Sequence, residues 1–220
     1  MKIEALLFDL GKVVVDFNFE LGMQRLVHRC GLPAEEFKRV IFDEAWIQPY
    51  ERGEISTAEY HRYLCDAGQL RMDLAEFNES WSAVFLPDLL VPEKLIADLH
   101  RRYPLILVSN TNESHVDFIA RKYSVFQHFD VKIFSHIVGS LKPERKIYEA
   151  AIAASGHPPQ ALFFTDDREE NVKGARDLGI RAHQFTTVEN LVEALRARSG
   201  SEWGSGVGVL HYFAMLKPKL

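Results

Sequence analysis

Short apolar runs alternate with stretches of helical period along most of this chain. The first run, Leu6 to Phe17, is almost wholly apolar, is interrupted by Asp9 and Gly11, and predicts a strand buried on both faces. Further apolar runs lie near 105–108, 131–134, 161–164 and 180–185. Strands that alternate with helices in this way predict an α/β fold, a doubly wound (Rossmann-like) parallel sheet.

The segment 19–86 departs from this alternation because it contains helical periods and no convincing strand. Its predicted helices cover about 19–30, about 33–42, a segment capped by Ser56, and a segment that starts at Asp73 and runs through Phe85. We therefore expect a helical cap inserted after the first strand. The predicted division is a core of 1–18 and 87–198, a cap of 19–86, and a tail of unclear role at 199–220.

Composition narrows the class of protein. The 220 residues are 47% hydrophobic and 26% charged, with a net charge of -5 and no basic block, which argues against a nucleic-acid partner. No apolar run approaches the roughly 20 residues that span a bilayer, and no secretory leader is evident. Cys30 and Cys65 have no metal-ligand spacing. We expect a cytoplasmic monomer or homodimer without a membrane partner.

Polar side chains stand where several predicted strands end. Asp9, Ser109 and the pair Asp166 and Asp167 all occupy such positions, and ligands of doubly wound sheets bind outside the carboxyl ends of the strands. Three carboxylates in one pocket repel one another unless a cation lies between them, and Mg²⁺ suits few carboxylates completed by phosphate. Lys142 adds a positive charge for phosphate. The set predicts phosphoryl transfer.

These residues belong to four short motifs that resemble, in order, those of the haloacid dehalogenase superfamily. The motifs are Phe8-Asp9-Leu10-Gly11, Ser109-Asn110-Thr111-Asn112, Lys142-Pro143-Glu144, and Asp166-Asp167 with Asn171, Gly174 and Ala175. The resemblance covers about residues 3–197, and the segment 19–86 is similar to the α-helical cap of that superfamily. The first two motifs and the cap sequence at 51–56 resemble the bacterial α-glucose-1-phosphate phosphatase branch.

The resemblance implies a role for each motif residue. Asp9 would be the nucleophile that forms an aspartyl-phosphate, and Lys142 would neutralise the phosphate and the nucleophile. Ser109 and the Asn110 amide would hold phosphate oxygens. The implied Mg²⁺ ligands are Asp9, the backbone carbonyl of Gly11, Asp167 and, close by, Asp166. The implied substrate is a small phosphorylated metabolite such as a sugar phosphate.

Gly11 departs from the pattern of the superfamily. Most of its phosphatases have a second aspartate at this position, which protonates the leaving oxygen, and general acid catalysis contributes a factor of roughly 10² to 10⁴. A better leaving group, as in a sugar 1-phosphate, would compensate, as would a proton from water, Lys12 or a cap residue. Polar and aromatic cap residues that suit a sugar are Trp46, Tyr50, Glu51, Arg52 and Glu54.

Two other functions remain open at this point. A 2-haloacid dehalogenase shares the nucleophilic aspartate and the helical cap but needs no metal, and the adjacent Asp166 and Asp167 argue against it. A phosphate-binding or scaffold protein, catalytically impaired by the loss at Gly11, is the second alternative. Such a scaffold has no physical need for Asp9 and Lys142.

Overall fold

The computed structural model of this protein describes residues 2–199. The strands are β1 Ala5–Phe8, β2 Val15–Phe17, β3 Phe85–Leu89, β4 Leu105–Ser109, β5 Val131–Phe134, β6 Leu162–Asp166 and β7 Arg181–Gln184. Five of them form a parallel sheet in the order β5-β4-β1-β6-β7. This order places β1 at the centre and is that of a doubly wound sheet. The predicted fold class is confirmed.

Alternating residues of β1 enter two apolar clusters, one on each face of the sheet. Leu6 and Phe8 join one cluster and Ala5 and Leu7 join the other, as the two-residue period of a strand requires. The helices that cover these faces and form the cap are α1 Phe19–Val27, α2 Ala34–Ile41, α3 Glu44–Glu51, α4 Thr57–Ala67, α5 Leu74–Ser82, α6 Glu93–His100, α7 Glu113–Lys122, α8 Ser135–Val138, α9 Arg145–Ser155, α10 Glu169–Asp177 and α11 Val188–Ser199. Helices on both faces explain why β1 has almost no polar residue.

Helices α1 to α5 follow the first strands and form the cap. They enclose an apolar cluster of their own, built around Phe37, Tyr60 and Phe77. The expected capping boxes are present at Ser56, which begins α4, and at Asp73, which begins α5. The helical cap of the predicted fold is therefore found, while the residue boundaries between core and cap stay a prediction.

The apolar stretch 6–17 is two strands, and its prediction as a single strand was wrong. After β1 the chain turns through Lys12, which has a left-handed φ of 60°, and then forms β2. Strand β2 pairs antiparallel with β3 outside the main sheet. This pairing also explains why Phe85 lies in a strand, whereas its helical spacing from Trp81 predicted a helix.

Two further findings concern helices. The sequence did not predict α3, which contains Pro49 and carries Glu51 at its end. The motif Lys142-Pro143-Glu144 precedes a helix, since α9 begins at Arg145 and Glu144 is its N-cap; the Lys142–Pro143 peptide is cis. The predicted tail lies outside the described residues beyond Ser199. Within residues 2–199, no helix combines the length and the hydropathy that a membrane span requires.

Candidate active site

The predicted site residues meet at the carboxyl end of the sheet. Asp9 follows β1, Asp166 ends β6 and Lys142 precedes α9. The Lys142 Nζ atom lies 2.7 Å from Asp9 Oδ1 and 2.6 Å from Asp166 Oδ2, and all three residues are at most 7% exposed. Neighbouring parallel strands and one loop therefore bring residues more than 150 positions apart into one ion-pair cluster.

Asp9 and Asp166 differ in how many of their carboxylate oxygens are already bound. Both Asp166 oxygens have donors, since Oδ1 accepts hydrogen bonds from Asn171 Nδ2 and the Arg168 N–H at 2.9 Å, and Oδ2 accepts from Lys142. Asp9 Oδ1 accepts from the Leu10 N–H at 2.7 Å and pairs with Lys142. Among the described residues, Asp9 Oδ2 has no hydrogen-bond donor. It is the oxygen of Asp9 that is left for a ligand.

Asp9, Asp166 and Asp167 form a group that could hold a metal ion. One carboxylate oxygen from each lies within 4.8 Å of the others. Burial, with Asp166 close by, raises the pKa of Asp9 to about 7 against the opposing effect of Lys142, and burial also raises the pKa of Asp167. Three carboxylates exceed the charge of one lysine, so a divalent cation fits the donor set and would favour the ionised carboxylates.

The segment after β4 provides the remaining polar groups. Ser109 is buried, and the Asn110 side chain exchanges two hydrogen bonds with the backbone of Lys142, at 2.7 and 3.0 Å. These bonds fix the loop that carries Lys142 against β4. The Asn110 side chain is thereby committed to the backbone of Lys142.

A cavity of about 290 Å³ opens between these strand ends and the cap. Gly11, Ser109 and Asn110 line the core side, and Glu51 lines the cap side. Most of the remaining wall is apolar: Leu10, Phe17, Phe19, Phe42, Ile47, Trp81, Val84, Phe85 and Ile119. Sequence reasoning missed this aromatic wall, because its members come from β2, the cap helices and β3, which meet only in the folded chain.

A Cβ atom on Gly11 would lie 2.8 Å from the ring of Phe17. Phe17 is in β2, so the pairing of β2 with β3 determines how much room there is beside Gly11. Lys12 does not use this space, because its Nζ donates to Asp16 Oδ1 and to the Phe17 carbonyl, each at 2.6 Å. The position of the missing aspartate is therefore closed by an aromatic ring.

The polar cap residues that were singled out from the sequence have different surroundings. Tyr50 is buried and donates to Asn112 Oδ1 at 3.0 Å. Trp46 stacks on Tyr63 within the cap. Glu54 is exposed and borders another cleft, and Glu51 alone of the five candidates lines the cavity that contains Gly11.

Arg52, the last of these cap residues, pairs with Glu144 of the core. Its Nη1 donates to Glu144 Oε2 at 2.8 Å, and Nη2 donates to the other carboxylate oxygen. This bidentate ion pair lowers the pKa of Glu144 to about 2. Arg52 is thus bound to the loop that carries Lys142 and does not contact the cavity.

Curated relatives include phosphatases of similar size. D-ribitol-5-phosphate phosphatase of Bacteroides thetaiotaomicron is 25% identical over 189 residues, which cover 83% of this chain and 91% of the relative. Phosphatase MT3486 of Mycobacterium tuberculosis is 25% identical, with 83% and 87% covered. Pyrimidine 5'-nucleotidase YjjG of Escherichia coli is 22% identical, with 82% and 84% covered.

Solved structures show the same architecture. The HAD family enzyme bt-2542 of Bacteroides thetaiotaomicron, in complex with magnesium and inorganic phosphate, matches with a TM-score of 0.75 and 25% identity, covering 88% of this chain and all of that one. A 2-haloacid dehalogenase of Pseudomonas syringae matches with a TM-score of 0.62 and 17% identity, covering 83% and 86%, a likeness of fold alone. The family model of haloacid dehalogenase-like hydrolases matches residues 3–179, and the chain belongs to this family of hydrolases.

Proposed function

We propose that this hydrolase is a Mg²⁺-dependent phosphatase that cleaves a small phosphomonoester through an aspartyl-phosphate on Asp9. The observation that carries the proposal is the buried cluster in which Lys142 bridges Asp9 and Asp166, while no group in residues 2–199 donates a hydrogen bond to Asp9 Oδ2. A nucleophile for phosphorus needs such a free oxygen, held in place by its partner. The relatives named as phosphatases support the same reaction class.

We assign the metal ligands by the hydrogen bonds already present. Asp9, Asp167 and the Gly11 carbonyl would hold Mg²⁺. No side chain in residues 2–199 donates a hydrogen bond to the Asp167 carboxylate, which is therefore available to a metal ion. Asp166 would lie near the metal and mainly position Lys142, because both of its oxygens have donors. Bound Mg²⁺ would neutralise phosphate charge and orient the phosphoryl group.

The protein groups then account for the two chemical steps. Asp9 Oδ2 attacks phosphorus, and the bond between phosphorus and the leaving oxygen breaks. Water attacks the aspartyl-phosphate in the second step, which releases inorganic phosphate and restores the Asp9 carboxylate. Ser109 and the Asn110 N–H would hold phosphate oxygens in both steps, and Lys142 keeps Asp9 oriented.

We propose sugar phosphates as substrates, with sugar 1-phosphates preferred. The cavity of about 290 Å³ is large enough for one monosaccharide, and its aromatic rings suit the apolar face of a sugar. Gly11 supplies no carboxyl group, so an anomeric oxygen, which is a better leaving group than a primary alcohol, would depart more readily. The C1 phosphate ester is therefore expected to be cleaved faster than the C6 ester.

Turnover of p-nitrophenyl phosphate with Mg²⁺ tests the reaction class. The wild-type protein should be active, EDTA should abolish the activity, and Asp9→Asn should lower kcat by at least about 10³-fold, as loss of a nucleophile does. Equal background rates for the wild type and Asp9→Asn would identify a scaffold protein. Release of chloride from 2-chloropropionate in the presence of EDTA would identify a dehalogenase.

A substrate panel tests the specificity. α-D-Glucose 1-phosphate should have a higher kcat/KM than D-glucose 6-phosphate at the same Mg²⁺ concentration. Faster turnover of the 6-phosphate would refute the preference for the anomeric ester and leave the reaction class intact.

A further inference from the structure

We propose that Glu51, the last residue of α3, is the general acid that protonates the leaving oxygen, in the role that Gly11 cannot perform. This inference rests on the proposed phosphatase function. It assigns the proton donor to the cap rather than to the core strand that carries the nucleophile.

Glu51 is in the right cavity for this role. It lines the same space as Gly11, Ser109 and Asn110, so a phosphate held at the strand ends would direct its leaving group toward the cap. The Glu51 side chain is partly buried and, within residues 2–199, its carboxyl group makes no hydrogen bond or ion pair. A carboxyl group without a protein partner on an otherwise largely apolar wall is available to a ligand.

The residues on either side of Glu51 are both fixed to the core. Tyr50 donates its hydroxyl hydrogen to Asn112, beside Ser109 and Asn110 on the β4–α7 segment. Arg52 pairs with Glu144, beside the loop of Lys142. These two contacts, to the two segments that surround the proposed phosphate site, hold the end of α3, and with it Glu51, at the cavity.

Two other candidate proton donors, Lys12 and His115, are already engaged. Lys12 is bound to Asp16 and to the Phe17 carbonyl. Both His115 ring nitrogens have partners, Asn112 Nδ2 and the Trp81 carbonyl, each at 3.3 Å. Burial also lowers the pKa of His115 to about 4, so its ring is neutral near pH 7 and cannot serve as an imidazolium acid.

The surroundings of Glu51 keep it protonated where an acid is needed. Burial raises its pKa to about 7, against the opposing field of Arg168, which is the charged group that acts on it. The hydroxyls of Tyr50 and Tyr60, whose pKa values Glu51 helps to raise, are uncharged near pH 7, as is the ring of His115 on the same cavity wall. A general acid works best with a pKa near the working pH.

The proton balance of the reaction then closes within the site. As Asp9 attacks phosphorus and the ester bond breaks, the leaving oxygen takes the proton of the Glu51 carboxyl group and departs as an alcohol. The Glu51 carboxylate next accepts a proton from the water that attacks the aspartyl-phosphate. Inorganic phosphate leaves, and both Asp9 and Glu51 return to their starting states.

The test compares the effect of Glu51→Gln on substrates that do and do not need a general acid. Glu54→Gln, an exposed glutamate three residues further along the chain, is the control. For D-glucose 6-phosphate, Glu51→Gln should lower kcat by roughly 10² to 10⁴-fold. For p-nitrophenyl phosphate, whose leaving group departs as an anion, the loss should stay below about threefold. In the wild type, kcat for the sugar phosphate should fall above about pH 7, and Glu51→Gln should lack this decline.

The outcomes separate this inference from the proposed function. Absence of Mg²⁺-dependent turnover in the wild type with any of these substrates would refute the phosphatase function itself. If Glu51→Gln lowers kcat equally for both substrates and leaves the pH profile unchanged, Glu51 only shapes the cavity. A matching loss in Glu54→Gln would also overturn the assignment.

Discussion

The hydroxyl of Tyr50, in the cap, donates a hydrogen bond to the side-chain oxygen of Asn112, in the core, at 3.0 Å, and both residues are at most 2% exposed. The same Asn112 oxygen accepts the N–H of His115 and so caps α7. A single amide thus joins the start of a core helix to the end of α3. The cap and the phosphate-side loop share this atom.

Tyr50→Phe removes that hydroxyl and is expected to lower the free energy of unfolding by about 1 kcal/mol, the usual net value of a hydrogen bond. The KM for a sugar phosphate should rise, because the end of α3 loses one of its contacts to the core. Urea denaturation and steady-state kinetics measure the two effects. Tyr63→Phe, which alters a hydroxyl within the cap, is the control for KM.

Lys142→Met should be strongly destabilising in the absence of metal. The change leaves Asp9 and Asp166 buried without their shared cation, and breaking a buried ion pair costs about 3–5 kcal/mol. Urea denaturation in EDTA should show this loss, and excess Mg²⁺ should restore part of it. Equal stability of Lys142→Met and the wild type in EDTA would contradict the assigned charge balance.

Asp166 and Asp167 are adjacent but should respond differently to substitution. Asp167→Asn should raise the Mg²⁺ concentration required for half-maximal activity with little loss of stability. Asp167 is only partly buried, and within residues 2–199 no other residue donates a hydrogen bond to its carboxylate. Asp166→Asn should lower the free energy of unfolding by about 3 kcal/mol, since it disrupts a buried charged network. Thermal unfolding at increasing Mg²⁺ concentrations distinguishes the two; the opposite pattern would exchange their roles.

Glu51 should make stability depend on pH. Its pKa is raised from 4.5 to about 7 by burial, so between these values the unfolded chain releases a proton that the folded chain keeps, and stability falls as pH rises. Glu51→Gln should therefore gain stability over the wild type across pH 4.5 to 7, by about 1–2 kcal/mol after allowance for partial exposure. A pH-independent difference in urea denaturation would contradict this.

Gly11→Asp should not produce a faster enzyme. The new Cβ would lie 2.8 Å from the Phe17 ring, so the paired strands β2 and β3 must shift before a carboxyl group can enter the cavity. We expect lower kcat and a loss of about 1–3 kcal/mol, as overpacking causes. The paired variant Gly11→Asp with Phe17→Ala should recover part of the stability loss, and a more active single variant would show that the ring moves freely.

Local patterns were sufficient for most of the sheet and for the order of the motifs. The runs at 105–108 and 131–134 became β4 and β5 almost residue for residue. Strand β4 is buried throughout, and a strand covered on both faces must be apolar along its length. Strand β5 lies at the edge of the sheet and accommodates Lys132. The strand-end rule also anticipated that Asp9 and Asp166 would lie close together, and Lys142 bridges them. The chemical roles assigned to these residues stay predictions until the variants are measured.

The missed features all depend on contacts between distant segments. The sequence did not indicate α3, since Pro49 lies within it, and its end is fixed by Tyr50 and Arg52 to core residues 62 and 92 positions away. The antiparallel pair of β2 and β3, which closes the space beside Gly11, joins segments about 70 residues apart. No local period encodes such pairings.

Hydrophobic period and residue type are local properties of a chain. The sheet, the helical cap and the carboxylate, serine and lysine motifs could therefore be predicted from the sequence. Only the packing of the cap on the core decided which cap acid lines the cavity at Gly11. Glu51 was one of five cap candidates in the sequence. It became distinct only when helix packing placed it on the wall of the cavity that contains Gly11, with no hydrogen bond or ion pair to its carboxyl group from residues 2–199. Burial and distance act between segments, so only the folded chain sets them.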